Sequence, residues 1–225
     1  MSVEDSLAQI ASEVSTCTSC TLHSTRIMSV PGEGPPNAEI MLIGEGPGAT
    51  EDTQGRPFIG TAGKFLVELL EKAGLKRSDV WICNVVKCRP PGNRDPLPEE
   101  LLACSLHLDR QIAAIDPKII ITLGRFSMAK FMPGVKISQV HGQMRHIRIP
   151  GQNDRYVIAM FHPAAALHQQ ALKPVIQADF AKLPQLLEVA RKGLEETKRS
   201  QAEPALIETN TTNTINEEPK QFKLF

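Results

Sequence analysis

Short, wholly apolar runs alternate with longer segments of helical period along most of the chain. Residues 39–43, 79–85, 118–123 and 156–161 read as strands, and the run at 118–123 is apolar throughout, as a central parallel strand should be. Residues 4–14 place Leu7, Ile10, Ala11 and Val14 on one helical face. Residues 61–73 do the same with Phe65, Leu66, Leu69 and Leu70, and Gly74 stops them. A third helix runs from Pro98-Glu99-Glu100, a favourable helix start, to about Ala114. Gly124 opens a short helix to about Lys130, and a last helix covers 172–191. Residues 135–149 predict a β-hairpin around His141-Gly142-Gln143. The alternation predicts an α/β fold: a three-layer α/β/α sandwich around a central, mainly parallel four-stranded sheet. From Gly193 the chain turns to Glu, Lys, Thr, Asn and Gln, too polar to build a core. One domain, residues 1–192, and a disordered tail, 193–225, are expected.

The polar punctuation is concentrated where strands end. Residues 44–60 are far longer than the roughly two to six residues that usually join a strand to a helix, and long loops in compact domains are commonly functional. They begin Gly44-Glu45-Gly46-Pro47-Gly48, a tight turn whose amides can approach a ligand, and carry Glu51, Asp52 and Phe58. No Lys-Ser/Thr follows the glycines, which counts against a nucleotide P-loop and the phosphate-binding enzyme it would imply. Asn84 follows the second strand; its amide offers an acceptor and two donors in one plane, able to read a base edge or to cap a turn. His162 follows the last strand and precedes a proline, at a rigid exit point. Phe58 suits a stacking platform or a loop anchor, and Glu45 and Glu51 suit catalysis, discrimination or helix capping. In an open parallel sheet, ligands bind off the carboxyl ends of the strands, where all of these lie.

Composition narrows the partners little. The chain carries equal numbers of acidic and basic residues, and 41% hydrophobic residues suffice for a core. Residues 193–225 hold four Lys/Arg and six Asp/Glu, which leaves 21 basic against 19 acidic residues in 1–192, a net +2. Any nucleic-acid contact must therefore be local, as at Lys87, Arg89 and Arg94 or at Arg145 and Arg148. No apolar run reaches the roughly 18 residues that span a bilayer, and the acidic, amphipathic N-terminus fits no targeting peptide. A cytoplasmic, nucleoid-associated monomer is expected. There are five cysteines. Cys83 sits in an apolar run and reads as a buried thiol. Cys17 and Cys20 form a CxxC, and Cys88 and Cys104 form a second pair. Four thiolates suit either zinc or an iron–sulfur cluster, and spacing alone leaves both open.

Taken together, Glu45-Gly46-Pro47-Gly48, Glu51-Asp52, Gly55-Arg56-Pro57-Phe58-Ile59-Gly60, the run from Asn84 through Lys87-Cys88-Arg89-Pro90-Pro91-Gly92-Asn93-Arg94, and His162-Pro163-Ala164-Ala165 resemble the family 4, iron–sulfur uracil-DNA glycosylases. The resemblance runs from about Cys17 to Leu187. It implies a [4Fe–4S] cluster held by Cys17, Cys20, Cys88 and Cys104, structural in role, tying the N-terminal arm to the core. It implies hydrolysis of the N-glycosidic bond of uracil in DNA, on a base flipped out of the helix, to start base excision repair. Phe58 would stack on the base, and Asn84 would read its O4 and N3–H edge. Glu51 would crowd C5, and His162 would stabilise charge on O2. Superfamily members with an Asp near the first glycine use it to orient water; here Gly46 takes that place, and Glu45 and the loop amides are left to serve. Ala166 and His168 replace a bulky residue and an Arg common in the family, so Leu167 becomes the candidate wedge into the DNA. Gln221-Phe222-Lys223-Leu224-Phe225 resembles the peptide by which bacterial repair proteins bind the sliding clamp, with Gln221, Leu224 and Phe225 in the expected places. The rival reading is a non-catalytic iron–sulfur or zinc DNA-binding adaptor that docks on such a clamp.

Overall fold

The computed structural model describes residues 2–148 and 153–202. A five-stranded sheet forms its centre: β1 (Ile40–Gly44), β2 (Val80–Asn84), β3 (Ile119–Leu123), β4 (Gln143–Ile147) and β5 (Arg155–Met160), in the order β2-β1-β3-β5-β4. The four apolar strands run parallel. Side chains of a strand alternate faces, and so do the two cores. Ile40 and Leu42 join one core with Phe65, Leu66, Leu69 and Leu70 of α3 (Thr61–Lys72) and with Phe180, Leu183 and Leu187. Met41 and Ile43 join the other with Leu7, Ile10 and Val14 of α1 (Val3–Thr16) and Leu108, Ile112 and Ile115 of α4 (Pro98–Ile115). Each fully buried Leu or Ile contributes about 1.5–3 kcal/mol, so the two faces hold the sheet rigid beneath the loops it carries.

Four expectations are corrected. The sheet has five strands rather than four. The fifth, β4, lies antiparallel to β5 at the edge, with Arg145 opposite Val157. The hairpin is therefore formed by β4 and β5; residues Ile137–Val140, expected as its first arm, make a helical turn, α6. The long connection after β1 is not irregular: it contains α2 (Ala49–Gln54), closed by Gly55. The last helix is two, α8 (Leu172–Ala181) and α9 (Leu183–Ala202), and α9 continues past Gly193. Its apolar stripe explains the extension, because Leu183, Leu187, Ala190 and Leu194 are all buried at helical spacing. The clamp-like residues Gln221, Leu224 and Phe225 lie outside the described residues. Among those described, no helix is long and apolar enough to cross a membrane.

Candidate active site

The carboxyl ends of β1, β2 and β5 open into one cavity of about 340 Å³, lined by Glu45, Gly46, Glu51, Phe58, Asn84, His162 and Leu167 among others. Every pocket residue singled out from the sequence is thus brought to one place, from segments over a hundred residues apart.

Register sets the floor. Gly44 pairs with Asn84 across β1 and β2. A Cβ on Gly44 would strike the Asn84 amide oxygen and the Phe58 ring, so the glycine lets both lie over the strand end. Asn84 is 1% exposed, and its Oδ1 has no hydrogen-bond partner among the described residues. A buried carbonyl without a donor costs roughly 1–3 kcal/mol, which makes this the kind of vacancy a ligand N–H relieves.

Phe58 is buried and its ring stacks on that of His162, with centroids 5.5 Å apart and planes at 28°. The backbone N–H of Ala164 donates to His162 Nδ1 at 3.1 Å. That bond takes the Nδ1 lone pair, so the neutral ring carries its proton on Nε2. Burial pushes the His162 pKa down to about 4, against the opposing charge of Glu51. The imidazole is therefore a neutral donor at physiological pH.

The two glutamates differ. Glu51, on α2, is buried, and its Oε1 accepts from the backbone N–H groups of Ile59 (2.9 Å) and Gly60 (2.8 Å) at the start of α3. It caps that helix and fixes the loop around Phe58. Glu45 is half-buried; its Oε1 accepts from the Phe126 N–H at 3.1 Å, at the start of α5 (Arg125–Phe131). Burial raises the Glu45 pKa, opposed by the Phe126 and Arg125 amides and the Arg125 charge. Leu167, on α7 (Ala165–His168), stands 44% exposed at the rim, whereas Ala166 is buried in the core.

Arg94, named from the sequence in a candidate surface patch, takes a different place, and its partner Glu100 and the nearby Arg125 were not legible in the sequence. Arg94 lines the cavity and makes a bidentate pair with Glu100, 2.8 and 2.6 Å, which is fully buried. Glu100 also accepts from the Leu97 N–H and the Thr21 hydroxyl, tying the pocket wall to the N-terminal arm. The capping-box position of Glu100 at the start of α4 was the available signal. Arg125 pairs with Asp95 near the mouth. One suggestion is overturned: Lys87 cannot belong to a DNA-contacting patch. It is 1% exposed, and its ammonium donates to Asn84 O (2.9 Å) and Gln111 Oε1 (2.7 Å).

A second, smaller cavity is lined by Cys17, Cys20, Cys88 and Cys104. Cys17 caps α1, Cys20 begins a 3-10 turn, Cys88 follows β2 and Cys104 is on α4. All five cysteines are free thiols, and Cys83 is fully buried in β2. Arg26 donates to Cys88 Sγ at 3.1 Å and the Lys87 N–H to Cys104 Sγ at 3.3 Å. His107 lines the same cavity and keeps a buried Nδ1 with no partner among the described residues. Burial pushes the Cys104 thiol up to about 11 and raises that of Cys88. Among the described residues, no three His, Cys, Asp or Glu side chains gather closely enough to hold a single metal ion. The cavity brings together thiols from three separate segments, two of them already receiving N–H donors.

Comparison with known proteins places the chain in a family. The family model of the uracil DNA glycosylase superfamily matches residues 31–184. A type-4 uracil-DNA glycosylase of Archaeoglobus fulgidus is 45% identical over 188 residues, covering 81% of this chain and 94% of that one. One from Thermotoga maritima is 43% identical over 185 residues, covering 81% and 95%. A type-5 uracil-DNA glycosylase of Thermus thermophilus is less similar, 32% identical over 149 residues, covering 59% and 68%.

Proposed function

The chain belongs to the type-4 uracil-DNA glycosylases and hydrolyses the N-glycosidic bond of uracil in DNA, and we propose that it does so in the strand-end pocket with the following division of roles. The adaptor reading is set aside, since the relatives that match across most of the chain are named as glycosylases.

The unpaired, buried Oδ1 of Asn84 carries the assignment. Uracil offers N3–H to that acceptor and O4 to the Asn84 amide N–H. Cytosine presents a lone pair at N3 and a donor at C4, so both groups would stay unpaired, a mismatch that discriminates strongly. Phe58 stacks on the base, a contact worth roughly 1–3 kcal/mol. His162, neutral with its proton on Nε2, donates to O2 as charge builds on the departing uracil anion. The glycosidic bond breaks with its electron pair going to uracil N1. Water then adds to the oxocarbenium-like sugar and loses a proton, leaving an abasic site. Glu45, anchored at the start of α5, orients that water together with the amides of Gly46 to Gly48. Glu51 walls off the C5 side through the loop it caps, and Leu167 at the rim fills the space the flipped base vacates. The test is a uracil-containing oligonucleotide followed by alkali. Strand scission is expected with wild type, and its absence overturns the reading.

For the cysteine cavity the reading is a [4Fe–4S] cluster held by Cys17, Cys20, Cys88 and Cys104. Its support is the convergence of four thiols on one cavity, the N–H donors already on two of them, and the orphaned His107 Nδ1. Such a cluster supplies no step of the hydrolysis; it ties the N-terminal arm to α4 and to the end of β2. A brown protein containing iron is expected, and a colourless one containing zinc overturns it. The clamp-binding role of Gln221, Leu224 and Phe225 rests on their sequence pattern. Deleting residues 221–225 should weaken capture by a bacterial sliding clamp and spare cleavage of short oligonucleotides; unchanged capture removes the assignment.

A further inference from the structure

Phe58 has a backbone φ of 51°, in the left-handed region. Among the described residues, the other non-glycine residues there are Asn93 and Asp116, types that tolerate it through local hydrogen bonds. An aromatic residue has no such compensation and holds this conformation only when its surroundings impose it. The surroundings are visible. Downstream, Glu51 Oε1 accepts from Ile59 N–H and Gly60 N–H. Beneath, α3 passes so close that a Cβ on Gly63 would run into the Phe58 carbonyl. Upstream, Arg77 donates from Nη1 to Phe58 O (3.0 Å) and from Nη2 to Pro57 O (2.5 Å).

Arg77 lies in a 3-10 turn before β2, half-buried, and reaches the loop from behind. It is among the residues of a separate outer groove with Glu33, Arg56 and Ser78. Glu33 orients it at 3.8 Å while making its tighter, bidentate pair with Arg56, 2.8 and 2.7 Å. We propose that Arg77 is a positioning residue for uracil recognition: by gripping the carbonyls of Pro57 and Phe58 it locks the strained backbone that lays the Phe58 ring against His162 and over Gly44. A planar guanidinium suits the task, because it offers two parallel donors to two successive carbonyls, whereas a lysine ammonium is a single mobile point. The inference rests on the reading of Phe58 as the base platform, and the experiment separates the two.

The test is a double-mutant cycle of Arg77→Met and Phe58→Ala, read as kcat/KM on a uracil oligonucleotide and as inhibition by free uracil. Phe58→Ala alone examines the platform: a loss of about tenfold or more supports it, and full activity removes it whatever Arg77 does. Arg77→Met is expected to cost about tenfold in the wild-type background and less than about twofold once Phe58 is alanine. It should also weaken inhibition by free uracil while leaving affinity for abasic-site DNA unchanged. Equal losses in both backgrounds overturn the inference, since they would mark a general structural role. Arg77→Lys, which keeps the charge, should recover only part of the loss; full recovery also overturns it. Arg56→Met breaks the Glu33 pair without touching the Phe58 carbonyl and should stay within about twofold of wild type. A loss equal to that of Arg77→Met would assign the effect to the surface ion pair instead.

Discussion

The strand-end pocket and the cysteine cavity lie at the two ends of one short run, Asn84 to Cys88, yet they are built in opposite ways. The pocket is assembled on strand ends that the core already holds rigid. Gly44, Asn84 and Phe58 meet there by sheet register and a braced loop, and Asn84 Oδ1 has no hydrogen-bond partner among the described residues. The cysteine cavity joins pieces the sheet does not hold: the arm after α1, the loop after β2 and the second turn of α4. There two of the four sulfurs already accept N–H donors, Cys88 from Arg26 and Cys104 from the Lys87 backbone, while His107 Nδ1 has no partner among the described residues. A pocket with a built-in vacancy gives up stability for recognition, whereas a site that converges separate segments contributes to stability by closing them together.

The contrast is broken most directly by one substitution on each side. Asn84→Ala should lower kcat/KM by at least about 100-fold, the scale of losing a group aimed at the reacting base. The melting temperature should hold or rise, since the substitution removes a buried unsatisfied oxygen. Cys104→Ser should do the reverse. It should abolish any visible iron–sulfur absorption and lower stability by more than about 3 kcal/mol, in the range of losing a metal ligand. Its activity loss should follow the folded fraction. Comparable melting temperatures for the two variants would show that the sites are not divided as described.

Lys87 sharpens the comparison because it belongs to both sides. Its ammonium donates to the Asn84 carbonyl and to Gln111 Oε1, while its backbone N–H donates to Cys104 Sγ. Gln111 in turn donates to the Pro31 carbonyl. Lys87→Met would strand two buried acceptors, at roughly 1–3 kcal/mol each, and loosen Asn84, the residue proposed to read uracil. A fall in both melting temperature and kcat/KM is expected, each smaller than the corresponding extreme. Loss of activity at unchanged stability would place Lys87 on the pocket side alone.

Lys87 also marks what a sequence can and cannot carry. Strands and helices were legible because burial imposes a period, and strand-end residues were legible because a parallel sheet presents ligands there. Hence Asn84, Phe58 and His162 stand out together in the sequence. Lys87 looked like a surface cation because nothing in its neighbours signals Gln111, 24 positions away. Arg77 escaped for the same reason, since polar pairs between distant segments leave no periodicity. The hairpin at 135–149 failed differently. β4 alternates only weakly between exposed and half-buried residues, so the pattern could not decide on which side its partner lay. Gly193 misled because its composition marks a boundary, while the buried stripe through Leu194 continues.

The smallest expected effect concerns His162, where the pocket's preparation for ligand should appear as a pH-dependent cost. Its pKa stands at about 4 in the folded protein, pushed down by burial, against 6.5 for the free side chain. Between these values the unfolded chain binds a proton that the folded chain does not, so this residue makes stability fall as pH drops from about 6.5 to about 4. Above that window it contributes no pH dependence. His162→Gln keeps a donor but cannot titrate. Denaturant midpoints for wild type and variant should therefore converge, or shift in the variant's favour, as pH is lowered through the window. Glu45, whose pKa burial raises, titrates in both proteins and cancels in the difference, as do the cysteines. A constant gap between the two midpoints from pH 7 to pH 4 would mean that His162 is solvated. It would then no longer be held as the neutral donor on which its proposed role at uracil O2 depends.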